Sequence, residues 1–260
     1  MTDPVDPGGA NDDRSTRPRD RVNDAIRHRK PDRLPRDFAA VPGVWDRLQA
    51  HFGAPTRAEV LVRLGIDCRV VSYDSYCAHP DVPPEAVDPQ ASLERSSVGG
   101  MWRRWGPDGS NRDIWGAHRR RVAAAHGAHE EFASYPLGDA QSLDELRRYR
   151  WPTPDWWCFD SLPADIAALN RPDIYNIRFR VGSIFETAWS LYGFERFLCD
   201  LAADPVLPRY IMERITEVHV ANLRATCWIS FTSTTTSPRK PPCSYGRRCT
   251  ICTSAPSISS

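Results

Sequence analysis

The order of helical and extended segments along these 260 residues predicts an α/β fold, and three observations carry that reading. A helical stretch at 57–64, a glycine at Gly65 and a β-branched run at 66–73 follow one another without interruption. A second unit repeats the order with a helix at 161–170 and a strand at 174–181. That strand turns through Gly182 and Ser183 directly into another helix. Alternation of this kind points to a parallel sheet or barrel.

Taken in order, residues 1–19 are Pro, Gly, Asp and Arg with hardly an apolar side chain, and burial cannot offset the entropy of ordering them, so they read as a disordered tail. From Asp20 the pattern turns helical, with Val22, Ala25 and Ile26 on one face; Pro31 stops it by disfavouring helical geometry in Lys30. Residues 33–38 read as a short strand or extended entry. Helices follow at 44–51 and 57–64, the second closed by Gly65 as an αL cap requires. Residues 78–117 are rich in Pro, Gly and Trp and read as a hairpin-like insertion whose tryptophans form its local core. Ser142 and Glu145 make a capping box for a helix at 143–149, which Pro152 and Pro154 terminate. Helices at 184–192, 194–203 and 207–224 complete the pattern, the last with Ile211, Ile215, Val218 and Leu223 at helical spacing.

Lys plus Arg is 34 against 33 for Asp plus Glu, a net charge of +1, so no bulk field recruits nucleic acid or an anionic membrane. No window approaches about 20 consecutive apolar residues, and the first 20 positions carry charges where a signal peptide needs an apolar core. The chain therefore reads as cytoplasmic, and its eight cysteines as thiols rather than a disulfide framework. It has no Gly-rich phosphate loop, nucleophile elbow or EF-hand loop.

The character of the sequence changes near its end. No Asp or Glu follows Glu217, no Leu follows Leu223, and from Cys227 to Ser260 there are 8 Ser, 6 Thr, 4 Cys and 4 Pro. Two readings account for this: a disordered tail, or translation out of frame from about residue 226. The genetic code favours the second. Taking the last base of each codon with the first two of the next, Cys227-Trp228 gives Leu and Trp228-Ile229 gives Asp without ambiguity. If the serines use TCN codons, the shifted frame allows the continuation L-D-L-L-H-I-Y-D-D-I-A, a buried strand ending in carboxylates.

The blocks Arg21-Val22-Asn23-Asp24-Ala25-Ile26-Arg27-His28, Pro31-Asp32-Arg33-Leu34-Pro35 and Leu64-Gly65-Ile66-Asp67 stand at the head of an ordered series. The series continues through Asp113-Ile114-Trp115-Gly116, Tyr135-Pro136-Leu137, Leu143-Asp144-Glu145-Leu146 and Trp151-Pro152-Thr153-Pro154-Asp155. It ends with Gly182-Ser183-Ile184-Phe185-Glu186 and Gly193-Phe194-Glu195-Arg196-Phe197-Leu198. In order and spacing, over about residues 20–225, these resemble the uroporphyrinogen decarboxylase-like family, which also includes the methylcobamide:thiol methyltransferases. The resemblance implies about the first half of a distorted (β/α)₈ TIM barrel spanning residues 20–226, its site at the C-terminal strand ends, followed by an out-of-frame tail at 227–260. Half a barrel exposes sheet edges and apolar faces, so the product is expected to be poorly stable or aggregation-prone and inactive.

The resemblance further implies an anionic tetrapyrrole of porphyrin biosynthesis as substrate, handled by a lyase with no cofactor, and a homodimer for the full-length protein. Asp74, seven residues after Asp67, matches the family's catalytic aspartate; the alternative is a loop aspartate that caps or is solvated. Tyr192 lies two residues beyond the neighbourhood of the family's tyrosine, which Trp189 and Ser190 occupy. Arg178 and Arg180 alternate with Ile177 and Phe179, so both point to one side of their strand as an anion-binding pair or as partners of nearby carboxylates. The decarboxylases' arginine-bearing segment corresponds here to Phe38-Ala39-Ala40-Val41-Pro42-Gly43, which has no arginine. That departure leaves corrinoid-dependent, zinc-assisted methyl transfer as the enzymatic alternative, its His and Cys ligands falling in the missing half. Of the residues present, Cys249-Thr250-Ile251-Cys252 is a lone CxxC, and His126 and His129 beside Glu130 and Glu131 read as solvated histidines rather than metal ligands on one helical turn.

Overall fold

Two small sheets and eight α-helices make up the described part of the chain, a mixed α/β arrangement in which no barrel closes. The computed structural model describes residues 16–40, 42–82, 102–124 and 127–232. The expected tail before Thr16, much of the Pro/Trp-rich stretch, His126 and everything after Thr232, including Cys249 and Cys252, lie outside the described residues.

Helix α1 (Pro18–Ile26) starts two residues inside the stretch expected to be a tail, with proline in its first turn, where a missing N–H costs nothing. Helices α2 (Pro42–Phe52) and α3 (Arg57–Arg63) pack as a pair over a small core of Trp45, Ala54, Val60, Leu61 and Ile66. The side chain of Thr56 caps α3 by accepting from the Glu59 N–H, and Gly65 ends it at φ +63°. Strand β1 (Cys68–Ser72) follows, then a 3₁₀ turn at Tyr73–Tyr76.

The N-terminal segment is tied to β1 by a buried charge network centred on Asp67, which is fully buried. Arg21 Nη1 donates to its Oδ1 at 2.6 Å, Arg33 donates to both oxygens at 2.8 and 2.9 Å, and the Arg36 amide donates to Oδ2 at 2.8 Å. Arg21 also grips Asp32 with two hydrogen bonds of 2.6 and 2.7 Å. Burial pushes the Asp67 carboxyl up, but the donors from Arg33, the Arg36 amide and Arg21 together hold it below the usual range. Three of the sequence blocks that carry the family resemblance thus meet at one carboxylate. Residues 33–38 form no strand; Arg33 and the Arg36 amide join this network instead.

Among the described residues of the Pro/Trp-rich stretch, β2 (Arg104–Trp105) and β3 (Asn111–Arg112) form a short hairpin, as expected; β4 (His118–Ala124) and β5 (Gly127–Ser134), beyond that stretch, extend it into a four-stranded antiparallel sheet. The long pair β4–β5 sets Arg120 opposite Glu131 and Arg121 opposite Glu130, the opposite-charge pairing that stabilises neighbouring strands. His129 accordingly sits on a strand, not a helical turn, and its Nε2 meets Glu131 Oε1 at 3.0 Å.

Helices α4 (Leu143–Arg148) and α5 (Leu162–Leu169) lead to β6 (Asn176–Arg180), which pairs in parallel with β1 so that Val71 faces Phe179 and Ser72 faces Arg180. Helices α6 (Ile184–Tyr192), α7 (Phe194–Ala203) and α8 (Val206–Thr232) complete the fold. Helix α8 continues beyond the expected end at residue 224 and contacts α4, α5, α6 and α7. The main core gathers Val71, Trp115, Leu146, Leu191, Phe197 and Ile215 between the parallel pair and these helices. No helix among the described residues is long and apolar enough to cross a membrane.

Candidate functional site

Parallel strands leave their C-terminal ends open to whatever the following loops bring, and α/β proteins bind ligands there. Side chains alternate along β1 and β6, so Val71 and Phe179 join the apolar core while Ser72 and Arg180 stand on the other face. Immediately beyond β1, the 3₁₀ turn puts Asp74 into a buried position, 6% exposed.

Asp74 Oδ2 lies 3.9 Å from Arg180 Nη2, and the Trp102 backbone N–H donates to the same carboxyl group. Oδ1 is buried and has no hydrogen-bond partner among the described residues. Burial pushes this carboxyl up to about 7, helped by the negative charge of Asp113 and opposed by Arg180, the Trp102 amide and Arg103. A carboxyl in that range exchanges its proton near neutral pH and can act as either acid or base.

From α8, His219 reaches the same strand ends. Its ring is 4% exposed and meets Tyr73 and Trp115 edge-on, at centroid distances of 5.7 and 5.8 Å. Burial lowers the imidazole to about 4, so it is neutral at physiological pH, and Nε2 has no partner among the described residues. Trp115 Nε1 donates to the Tyr73 hydroxyl at 2.9 Å, while burial drives that phenol well above its usual value. Gly182 permits the close approach. It has φ +94°, and a Cβ there would sit 3.2 Å from His219 Nε2 and 3.4 Å from Tyr73 Cε1. Ser72 Oγ and Asn222 Nδ2, three residues past His219 on α8, are likewise buried without partners among the described residues. The orphaned polar atoms of Ser72, Asp74 and His219 around one pair of strand ends mark a place built to hydrogen-bond something else.

A surface cleft of about 160 Å³ adjoins this cluster and shares Trp102, Asp113 and Trp115 with it. His79, Arg104 and Arg112 also line it.

The structure brings Asp74 and Arg180 together. Arg178 takes a separate partner, Asp37, at 2.6 Å, so the two arginines of β6 each face a carboxylate of their own. Tyr192 is fully buried; its hydroxyl donates to Asp200 Oδ2 at 2.8 Å and Arg196 lies 4.2 Å over its ring. Burial and that hydrogen bond push its phenol up to about 12, and the contacts make it a part of the α6–α7 junction. His219, Ser72 and Asn222 were not singled out from the sequence. His219 sits between Val218 and Val220 in an amphipathic helix, and its only local signal is a polar residue next to a buried apolar one. Among the described residues no three His, Cys, Asp or Glu side chains converge as a metal-donor set.

Compared with family models, with curated proteins and with solved structures, the chain matches none.

Proposed function

We propose that this chain is the first part of a uroporphyrinogen decarboxylase-like barrel, carrying an anion-binding half-site at Asp74 and Arg180, and that it is a truncated or frameshifted copy without turnover of its own. One observation carries the reading: a buried carboxyl that titrates near neutrality beside a guanidinium, at the C-terminal end of a parallel strand pair. In a barrel β1 and β6 are neighbouring strands, and the face bearing Ser72, Arg178 and Arg180 is the lumen.

The chemistry follows from the charges. In decarboxylation of a pyrrole acetate, the bond to the carboxyl carbon breaks, carbon dioxide leaves, and the electron pair left on the methylene carbon takes a proton. Arg180 suits one substrate carboxylate, and Asp74 suits the pyrrole nitrogens or the proton to be delivered. The groups needed to hold the other carboxylates belong to the absent part.

The test is a titration of the purified chain with uroporphyrin I, followed by quenching of tryptophan fluorescence, alongside an assay for carbon dioxide release from uroporphyrinogen. Saturable binding that weakens about tenfold in Arg180→Gln, without decarboxylation, is expected. Absence of saturable binding overturns the reading. Resequencing the coding DNA across codons 220–260 tests the frame: one corrected base should open a downstream reading that continues the barrel.

Corrinoid-dependent, zinc-assisted methyl transfer is the second reading, favoured by the absence of arginine from residues 38–43. It requires His and Cys ligands for zinc in the corrected downstream frame, which the same resequencing reveals.

A further inference from the structure

The antiparallel sheet holds a second constellation that the reading above does not use. Its register sets Arg104 of β2 opposite Arg112 of β3, and Arg112 opposite His118 of β4. Residues directly opposite have Cβ atoms roughly 4.5–5.5 Å apart, where like charges repel. Neither arginine forms an ion pair among the described residues. Arg112 Nη1 reaches the Gly116 carbonyl at 3.4 Å.

The nearby carboxylates are committed elsewhere. Asp81 pairs with Arg150. Asp113 takes Arg119 on Oδ2 at 2.7 Å and the amides of Trp115 and Ala117 on Oδ1. Asp108 accepts from the Ser110 hydroxyl and amide, and Glu130 takes Arg103 and Asn111. Two opposed guanidiniums are thus left without a counter-charge among the described residues.

Both line the cleft of about 160 Å³. Another part of its lining is aromatic: His79 stacks on Trp102 at 5.3 Å and tilts against Trp156 at 4.4 Å. Trp102 also lines the cleft, and its buried Nε1 has no acceptor among the described residues. A cavity of about 150 Å³ holds one benzene ring. The cleft therefore has room for a single flat ring, with donors at Arg104 and Arg112 for its acidic substituents. Beyond the two arginines a hollow of about 420 Å³ continues to His118.

We propose that Arg104 and Arg112 form an anion-binding pair for a single-ring aromatic carboxylate, whose ring lies against Trp102, His79 and Trp156. Asp74 and Arg180 take no part, so the site stands or falls apart from the decarboxylase-like reading.

The experiment is a low-salt titration of the whole chain with isophthalate, read by tryptophan quenching, with benzamide and acetate as the ring without charge and the charge without ring. Saturable quenching by isophthalate is expected, with both comparison compounds binding at least tenfold more weakly. Arg104→Gln and Arg112→Gln should each weaken isophthalate at least tenfold and the double variant abolish it, while Arg180→Gln leaves it unchanged. Both arginines are exposed, so these substitutions spare the core, and far-UV circular dichroism checks that they do. Equal binding of benzamide, no saturable quenching, or undiminished affinity in a folded double variant overturns the site. Loss in Arg180→Gln alone moves the anion to the strand ends and overturns it as well.

Discussion

Replacing Asp67 by Asn tests whether the N-terminal segment is held by charge. The wild-type carboxylate is fully buried and receives Arg21, both terminal nitrogens of Arg33 and the Arg36 amide within 2.6–2.9 Å. Asn keeps the shape but turns an NH₂ toward these donors and leaves Arg21 and Arg33 without one counter-charge. Removing one partner of a buried ion pair costs about 3–5 kcal/mol. Arg21 retains Asp32, and the Arg33 side chain is 34% exposed and partly screened by water, so the lower end, about 3 kcal/mol, applies. At roughly 2–4 °C per kcal/mol for a chain of this size, the melting temperature should fall by about 6–12 °C at pH 7. Circular dichroism melts of wild type and Asp67→Asn supply the measurement. The pH dependence adds a second reading. Because the folded carboxyl sits below its unfolded value, its stabilisation is complete above about pH 4 and fades as pH drops through the lower, folded value. The gap between the two proteins should therefore narrow in acid. A difference under about 2 °C at pH 7 would refute the claim that Asp67 fastens this segment.

Asp74→Asn should have the opposite pH signature: its folded value of about 7 lies above the unfolded one, so wild type loses stability as pH rises from about 4 to 7. Melts at pH 5 and 8 should show that decline in wild type and not in the variant, which becomes the more stable of the two at pH 8. Gly116→Ala combines φ +85° with a Cβ placed 2.6 Å from the Tyr149 hydroxyl, whereas Gly109→Ala has φ +76° and open space. Urea denaturation should give a loss of about 1 kcal/mol for Gly109→Ala and at least twice that for Gly116→Ala; equal losses would show that the tyrosine yields freely. Ser183→Ala removes the cap that accepts from the Glu186 amide at 3.1 Å, and should cost about 1 kcal/mol in the same assay.

Local chemistry made much of the fold readable. Ser142, Gly65 and the Gly182-Ser183 turn mark element ends through backbone demands that neighbouring residues satisfy, and α6 and α7 begin and end where their patterns do. The strands β4 and β5 were hidden because Arg119-Arg120-Arg121 and Glu130-Glu131 look like solvated charge until they are laid side by side. Asp67 and Arg21 were visible as sequence blocks, but the bond between them spans 46 positions and has no local trace. At the candidate site, Arg180 follows from alternation along its strand beside the Gly182 turn, while Asp74 is singled out by the resemblance. Tyr192 stands two residues out of the register that the resemblance requires, and the helix turns it toward Asp200. His219 enters from a distant helix, and only tertiary packing against Tyr73 and Trp115 reveals it.

The parallel pairing of Cys68 with Asn176 also governs the order of events during folding. Bringing together segments roughly a hundred residues apart costs more chain entropy than closing a hairpin, and contacts of that separation slow the search. The β4–β5 ladder joins positions close in sequence and can zip early, as can the α2–α3 pair. The strand ends that carry Asp74 and Arg180 can meet only after the intervening polypeptide has collapsed. A refolding experiment should therefore show the tryptophan environment around Trp115 and His219 maturing in the slowest phase, after most helical and hairpin signal has returned.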